Sequence, residues 1–296
     1  MKAVILHLSD IHIKTESDPI LTQAENIAKT TYSHITDTSH VFILVSGDIV
    51  FSGGVEQYEW AAIFLNQVKT HIKTERDINV DFVLCPGNHD CDFDNDKIRI
   101  FLLDSILAQD IEKIDKTIFE SCTNHQNEYF EFRDKLEKDQ IEKDKLWVTQ
   151  KFTVGNKNIV FESVNLSWAS KLREEQGKML FPFSMYKDKY KRDADIRISL
   201  MHHPLNWLSQ SSYRDFRHSL RSISNFVFTG HEHLSNAVNH DDVESGKTII
   251  IEGGVLQENT IENSSFGIVT LDLVQDVNTY FVYEYSFNHS IPFSNP

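Results

Sequence analysis

Cysteine is scarce in this sequence, with three in 296 residues. Cys85, Cys91 and Cys122 are too few to form a disulfide framework in a chain of this length, and none belongs to a Cys-x-x-Cys or Cys/His zinc pattern. This usage of cysteine excludes a small disulfide-stabilised fold and indicates a reducing, cytoplasmic setting.

Long apolar runs are also missing. A membrane-spanning helix needs about 18 or more consecutive apolar residues, and no stretch approaches that length. The apolar stretch Ala3–Leu8 is short, is interrupted by His7 and is followed by Ser9 and Asp10, so it does not read as a signal peptide. We therefore expect no membrane segment and a cytoplasmic location.

Basic residues are few relative to acidic ones. The chain has 29 Lys and Arg against 44 Asp and Glu, a formal net charge of −15. This balance disfavours binding of nucleic acid through a broad basic surface, because that mode requires clustered Lys and Arg. It does not exclude a phosphate-bearing substrate, since bound cations could supply positive charge locally.

The hydrophobic pattern predicts an α/β protein. Apolar strands at Ala3–Leu8, Val41–Val45 and Val80–Leu84 alternate with helical patterns, which is typical of βαβ units in a largely parallel sheet. The second half is richer in strands, and its last three alternate at short spacings, as antiparallel neighbours do. We expect one domain over residues 1–296. The later strand candidates are Leu146–Val154, Asn158–Val164, Ile196–His202, Phe226–Thr229, Thr248–Glu252, Gly267–Leu273 and Tyr280–Tyr285.

Between these halves lies a charged, helical insertion at about residues 92–145. Its segment Asp134–Lys145 (DKLEKDQIEKDK) contains charged residues of both signs in nearly every turn. This composition is typical of a solvated helix with i,i+4 ion pairs. A lid that covers a substrate is the alternative, and neither composition nor spacing separates the two.

Polar side chains follow five of the predicted strands. In open α/β sheets, sites form beyond the carboxyl ends of the strands. Carboxylate, amide and imidazole ligands suit Mn, Fe, Zn, Ni or Co. Two ions that share one carboxylate would use all seven candidate ligands, Asp10, His12, Asp48, Asn88, His202, His231 and His233. Each motif alone could be a turn or a solvated loop. The motifs are Asp10-x-His12, Gly47-Asp48, Gly87-Asn88-His89-Asp90, His202-His203-Pro204 and Gly230-His231-x-His233.

In this order, the motifs resemble those of the calcineurin-like metallophosphoesterase superfamily. The resemblance implies a fold of two packed, mixed β-sheets flanked by helices, and a centre of two divalent metal ions. It also implies that His89 contacts the phosphate and protonates the leaving oxygen, a role that suits imidazole near neutral pH. By motif, Asp10, His12 and His233 would hold one metal, Asn88, His202 and His231 the other, and Asp48 would bridge both.

The resemblance further implies hydrolysis of a phosphoester by a metal-bridging hydroxide, with Asp48 and His89 as catalytic residues. The segments around Gly47-Asp48 and His202-His203-Pro204 are most similar to the cyclic-nucleotide phosphodiesterase branch, although Leu205 stands where many members have a second proline. We therefore expect a small, nucleotide-like phosphodiester as substrate. A nuclease of the DNA-repair exonuclease type, a phosphomonoesterase and a non-catalytic scaffold are the alternatives.

Four residues after the histidine pair could extend the site. Trp207, Tyr213, Arg214 and Arg217 could stack on a base and contact phosphate, or could form one face of an amphipathic helix. His203 is expected to pack behind the ligands, because strand alternation would turn it away from His202. Cys91, beside the Asn88-His89-Asp90 turn, is expected to have no role.

Overall fold

The computed structural model describes residues 1–94, 97–107, 111–137, 144–191, 194–257, 264–274, 278–285 and 293–294. In the described part, no helix combines the length and apolar character that crossing a membrane requires. The strands are β1 (Lys2–Leu8), β2 (Thr38–Ser46), β3 (Asn79–Cys85), β4 (Trp147–Val154), β5 (Lys157–Val164), β6 (Ile196–Leu200), β7 (Phe226–Thr229), β8 (Asn236–Asp242), β9 (Gly246–Glu252), β10 (Ser264–Asp272), β11 (Asn278–Tyr285) and β12 (Phe293–Ser294). The α-helices are α1 (Ala24–Tyr32), α2 (Val55–Glu75), α3 (Lys97–Leu107), α4 (Lys116–Cys122), α5 (Asn127–Leu136) and α6 (Gln210–Ile223).

The first sheet combines the N-terminal βαβ units with the end of the chain. Its order is β12-β11-β10-β1-β2-β3, with β1, β2 and β3 parallel and β10 antiparallel to β1. The parallel strands are mostly buried and apolar in their central residues because both faces of the sheet are covered, which confirms the predicted parallel half.

The second sheet has the order β4-β5-β6-β7-β9-β8. Strands β5, β6, β7 and β9 are parallel, so Thr248–Glu252 is not an antiparallel neighbour of the later strands, and that part of the prediction is wrong. Its antiparallel partner is β8, a strand that the sequence pattern does not reveal. Strand β8 is polar and exposed at the sheet edge, so it lacks the apolar alternation on which strand prediction relies. Strands β10 and β11 are antiparallel, as expected.

The two sheets pack face to face through an apolar core. Ile5 and Phe42 of the first sheet lie in one buried cluster with Phe161, Ile198 and Phe228 of the second. Helices α1, α2 and α5 cover the outer face of the first sheet, whereas α3, α4 and α6 contribute to the cluster outside the second. The predicted fold of two mixed sheets flanked by helices is therefore confirmed.

The insertion after β3 consists of helices in the described residues. Leu103 of α3 and Phe119 of α4 are buried in one cluster with Trp168, so this part of the insertion contributes to the core. Helix α5 ends at Leu136. Residues 138–143, which form much of the segment predicted as a solvated helix or lid, lie outside the described residues.

Candidate metal centre

The candidate ligands lie just beyond the carboxyl ends of β1, β2, β3, β6 and β7. Left-handed backbone is uncommon for residues other than glycine, and a structure retains it only where its surroundings hold it in place. The turns here therefore adopt a backbone geometry that aims side chains inward at a conformational cost. Positive φ occurs at Asp10, His12 and Asp48 (52° each), at His231 (75°) and at His233 (58°).

A first set of donors surrounds the carboxylate of Asp10. Its Oδ1 lies 3.3 Å from Nε2 of His233 and 3.8 Å from Nε2 of His12. The other oxygen, Oδ2, accepts hydrogen bonds from the Ser9 hydroxyl and from the backbone N–H of His231. Asp10 is fully buried, so its orientation is fixed by these contacts.

A second set consists of Asn88, His202 and His231. Oδ1 of Asn88 lies 3.1 Å from Nε2 of His202 and 3.1 Å from Nδ1 of His231. The two imidazole nitrogens are 3.2 Å apart. Nδ1 of His202 donates to the carbonyl of Ser46 at 2.8 Å, which leaves Nε2 unprotonated in the neutral ring and able to bind a cation.

Asp48 lies between the two sets. Its Oδ2 is 3.3 Å from Nε2 of His202 in the second set and 4.0 Å from Nε2 of His12 in the first. Its Oδ1 accepts the backbone N–H of His89 at 2.8 Å. One carboxylate is thus placed to contact cations held by both sets of donors.

The donor sets fit divalent cations. Among the described residues, buried Oδ1 of Asp10 and both ring nitrogens of His12 have no hydrogen-bond partner. Buried polar atoms normally have partners, and a cation ligated by Oδ1 of Asp10 and by one ring nitrogen of His12 would satisfy two of these three atoms. Asp10, His12 and His233 form one possible metal-binding group by distance, and Asp10, Asp48 and His202 form another.

Glycines allow the chain segments to approach closely. A Cβ at Gly87 would lie 2.0 Å from Oδ1 of Asp48, and one at Gly230 would lie 2.1 Å from Oγ of Ser9. Gly47, with φ of +96°, would place a Cβ 2.6 Å from Nδ1 of His202. Any side chain at these positions would therefore displace the donor groups.

Protons and cations compete for the centre. Burial disfavours the charged form of His202, but the carboxylates of Asp48 and Asp10 outweigh it and raise the pKa of His202 to about 10. Burial likewise opposes ionisation of Asp48, yet the imidazoles of His202 and His12 hold its pKa well below its usual range. A cation that binds here would take over the pairing of Asp48 and displace the proton from His202.

His89 lies at the opening of the centre, with its ring 4.7 Å from that of His12. Its Nδ1 donates to the carbonyl of Phe51 at 2.8 Å, since a carbonyl can only accept. The proton that His89 could exchange is therefore at Nε2. His89 lines two neighbouring clefts, one with Lys14 and Gln257 and the other with Lys171 among its residues.

Asp90 has a part in the site that the motif pattern did not specify. Its buried carboxylate accepts backbone N–H groups of Ile49, Val50 and Gly87, and the hydroxyl of Tyr58. These bonds join the turn after β2 to the turn after β3. Its position three residues after Gly87, in a turn, is the signal that could have indicated this role.

His203, which follows the candidate ligand His202, does not alternate with it along a strand as expected. Strand β6 ends at Leu200, two residues before the predicted end. His203 is fully buried, and its Nε2 lies 3.0 Å from Oε2 of Glu174. No motif or spacing in the sequence points to Glu174.

Burial raises the pKa of the Cys91 thiol well above its usual value, which makes this cysteine unreactive.

The four further residues that could extend the site lie in two different places. The Trp207 ring lies edge-on to His231 with centroids 4.2 Å apart, and its Nε1 donates to Oε1 of Glu232 at 2.6 Å. Tyr213, Arg214 and Arg217 lie on α6, where the Arg217 guanidinium covers the Tyr213 ring and donates to its hydroxyl at 2.9 Å. The structure therefore brings Trp207 to the centre, whereas the described contacts of Arg217 are within α6.

Comparison with solved structures gives matches at low sequence identity. A hypothetical protein from Thermus thermophilus is 11% identical, with 96% of this chain and 99% of that chain covered and a TM-score of 0.48. Vps29 from Entamoeba histolytica, in complex with zinc, is 12% identical, with 99% and 97% covered and a TM-score of 0.34. A metallophosphoesterase from Sphaerobacter thermophilus is 13% identical, with 95% and 89% covered and a TM-score of 0.33.

Comparison with curated proteins gives no match. The family of calcineurin-like phosphoesterases matches residues 3–235, which include every candidate ligand from Asp10 to His233. That match extends over most of the chain, and it agrees with the motif order and with the clustered Asp and His side chains. The chain belongs to the calcineurin-like phosphoesterase family.

Proposed function

We propose that this protein uses two divalent cations to hydrolyse a small, nucleotide-like phosphodiester. The observation that carries the proposal is the position of Asp48, whose carboxylate contacts one donor set through His12 and the other through His202. Mn, Fe, Zn, Ni and Co all suit the combination of carboxylate, amide and imidazole donors.

In this proposal, the chain's own residues hold and orient the reacting groups. Two bound cations would neutralise the phosphoryl oxygens and would make water acidic enough to supply a nucleophile near neutral pH. Asp90 and the glycines keep the strand ends close enough for both donor sets to act on one phosphate. One cation would be held by Asp10, His12 and His233 and the other by Asn88, His202 and His231, with Asp48 shared.

His89 would donate the proton that the leaving group needs. As water forms its bond to phosphorus and the ester P–O bond breaks, the leaving oxygen would take the proton from Nε2 of His89. The carbonyl of Phe51 holds the opposite nitrogen, Nδ1, and so fixes the ring in the orientation that exposes Nε2.

The preference for a diester rests on the space on both sides of His89. One cleft is lined by Lys14, Phe51 and Gln257, and the other by Phe93 and Leu172 among its residues. A diester carries two substituents on phosphorus, and these clefts give each substituent a place. The lysine in the first cleft would favour an anionic substituent such as a further phosphate.

The test compares esters on the Mn²⁺-loaded protein. We expect bis-p-nitrophenyl phosphate to be hydrolysed with a higher kcat/KM than p-nitrophenyl phosphate, and cyclic nucleotides to be preferred over single-stranded DNA. His89→Asn should lower kcat by about 10²- to 10⁴-fold, as loss of a general acid does. His218→Asn, at an exposed position of α6, is the matched control and should keep wild-type kinetics.

Three results would contradict the proposal. Wild-type turnover in His89→Asn would exclude the proton-donor role. A preference for the monoester would indicate a phosphomonoesterase, and a preference for single-stranded DNA would indicate a nuclease. The absence of turnover on every ester with two cations bound would indicate a non-catalytic scaffold.

A further inference from the structure

Glu174 is a buried acid with no place in the proposed reaction. It lies in the segment between β5 and β6, and its side chain is 9% exposed. Its Oε1 has no hydrogen-bond partner among the residues that the structure describes. A buried carboxylate with an unsatisfied oxygen is costly, so its position next to the candidate ligands calls for a physical reason.

His203 holds this carboxylate in place. Because a carboxylate only accepts, the 3.0 Å contact means that Nε2 of His203 donates to Oε2 of Glu174. His203 is itself fully buried, and its Nδ1 lies 3.4 Å from the Ser167 hydroxyl. The His203–Glu174 pair is therefore held in place behind the candidate ligands.

The pair faces the outer nitrogen of His231. Nδ1 of His231 lies in the second donor set, 3.1 Å from Oδ1 of Asn88, whereas its Nε2 lies 4.0 Å from Oε2 of Glu174. The rings of His203 and His231 are 4.4 Å apart, and the edge-on ring of Trp207, 4.2 Å from that of His231, also limits rotation of His231.

A neutral imidazole carries one proton, and only the unprotonated nitrogen can bind a cation. For Nδ1 of His231 to serve as a ligand, the proton must be on Nε2, next to Glu174. Carboxylates that contact the outer nitrogen of metal-binding histidines are a recurrent device for fixing this tautomer and ring orientation.

Building on the proposed function, we propose that Glu174, held by His203, is a positioning residue that keeps the proton of His231 on Nε2 and so leaves Nδ1 free to bind a cation. Glu174 acts on metal binding through His231 and touches neither substrate nor cation. The histidine pair in the sequence thus combines one ligand, His202, with one residue, His203, that orients the carboxylate behind another ligand.

The test is a Mn²⁺ titration of the chelator-treated chain, monitored by calorimetry. In Glu174→Gln the amide oxygen can take the position of Oε2 and still accept from His203, but the neutral amide loses the negative charge that favours a proton on Nε2 of His231. We expect one of the two Mn²⁺ dissociation constants to rise by about 10- to 100-fold, as on loss of comparable histidine-orienting groups. Glu175→Gln, exposed in the same segment, is the matched control and should bind Mn²⁺ as the wild type does.

Glu174→Asp separates positioning from packing. It keeps a carboxylate one methylene farther away, so Mn²⁺ affinity should lie between that of the wild type and that of Glu174→Gln. Equal weakening in both variants, or unchanged Mn²⁺ affinity in Glu174→Gln, would overturn the inference. If Glu174→Gln does not fold, Glu174→Asp decides alone, and wild-type affinity in it would overturn the inference.

The titration needs no substrate, which separates the two proposals. A chain that binds two Mn²⁺ ions, loses affinity in Glu174→Gln and hydrolyses no ester would support the positioning role and contradict the proposed function. A wild-type chain that binds fewer than two Mn²⁺ ions would overturn both.

Discussion

Replacement of Gly47 by alanine tests whether close backbone approach holds the centre together. Gly47 precedes Asp48 and has φ of +96°, where an L side chain is strained. The added Cβ would lie 2.6 Å from Nδ1 of His202 and 2.7 Å from the backbone N of Gly87. His202 is fully buried, so its ring cannot move aside without disturbing its neighbours.

The expected loss of stability has two parts. The left-handed backbone alone costs about 1–2 kcal/mol for a residue with a Cβ. Displacing the His202 ring would also break its bond to the Ser46 carbonyl, worth about 0.5–1.5 kcal/mol, and would strain a packed region by about 1–3 kcal/mol. The second part, which combines the lost hydrogen bond and the packing strain, is about 1.5–4.5 kcal/mol and is specific to the centre.

Gly246→Ala supplies the matched control. Gly246 lies at the start of β9 with φ of +80°, and an added Cβ would have no atom within 4 Å among the described residues. In urea unfolding, we expect the free energy of unfolding of Gly246→Ala to fall only by the backbone part, and that of Gly47→Ala to fall by about 1.5–4.5 kcal/mol more. Hydrolysis of bis-p-nitrophenyl phosphate should be kept in Gly246→Ala and lost in Gly47→Ala. Equal losses of stability in the two variants, together with wild-type turnover in Gly47→Ala, would show that close approach at Gly47 does not hold the centre together.

Two further predictions concern charge. Cations should stabilise the chelator-treated protein, because the carboxylates of Asp10 and Asp48 are buried. Mn²⁺ at 100 times the dissociation constant of a site should add about 2.7 kcal/mol to the free energy of unfolding for each occupied site, and a Tm that does not respond to Mn²⁺ would contradict this. Burial raises the pKa of Glu137 to about 8, so the folded state keeps a proton that the unfolded state loses near pH 4.5, and stability should fall as pH rises between these values. In Glu137→Gln, the glutamine can still accept from the backbone N–H of Leu84. Between pH 5 and pH 8, the free energy of unfolding in urea should fall by about 3 kcal/mol less in this variant than in the wild type. The same pH dependence of the free energy of unfolding in both proteins would exclude the effect.

The fold could be predicted where burial produces a strong pattern. The parallel strands β1, β2 and β3 each contain a short apolar run because sheet and helices enclose them, and the sequence shows these runs directly. Strand β8 has no such signal, since its residues are polar and exposed at a sheet edge. Its absence from the predicted set led to the wrong partner for Thr248–Glu252, because short alternating segments do not reveal which sheet they join.

The candidate site could be predicted where the chemistry follows a strand end. Asp10, Asp48 and His202 follow apolar strands, and the topology brings these strand ends together. The supporting groups follow no such rule. Glu174 comes from a segment between strands and reaches His203 only through the tertiary fold, so no spacing in the sequence could reveal the contact.

The number of cations bound per chain is the most direct test of a two-cation centre bridged by Asp48. Elemental analysis after loading with Mn²⁺ and removal of excess should find two ions in the wild type. Asp48→Asn, which replaces the carboxylate between the two donor sets, should retain one ion or none. One ion or none in the wild type, or two in Asp48→Asn with unchanged affinity, would contradict the account.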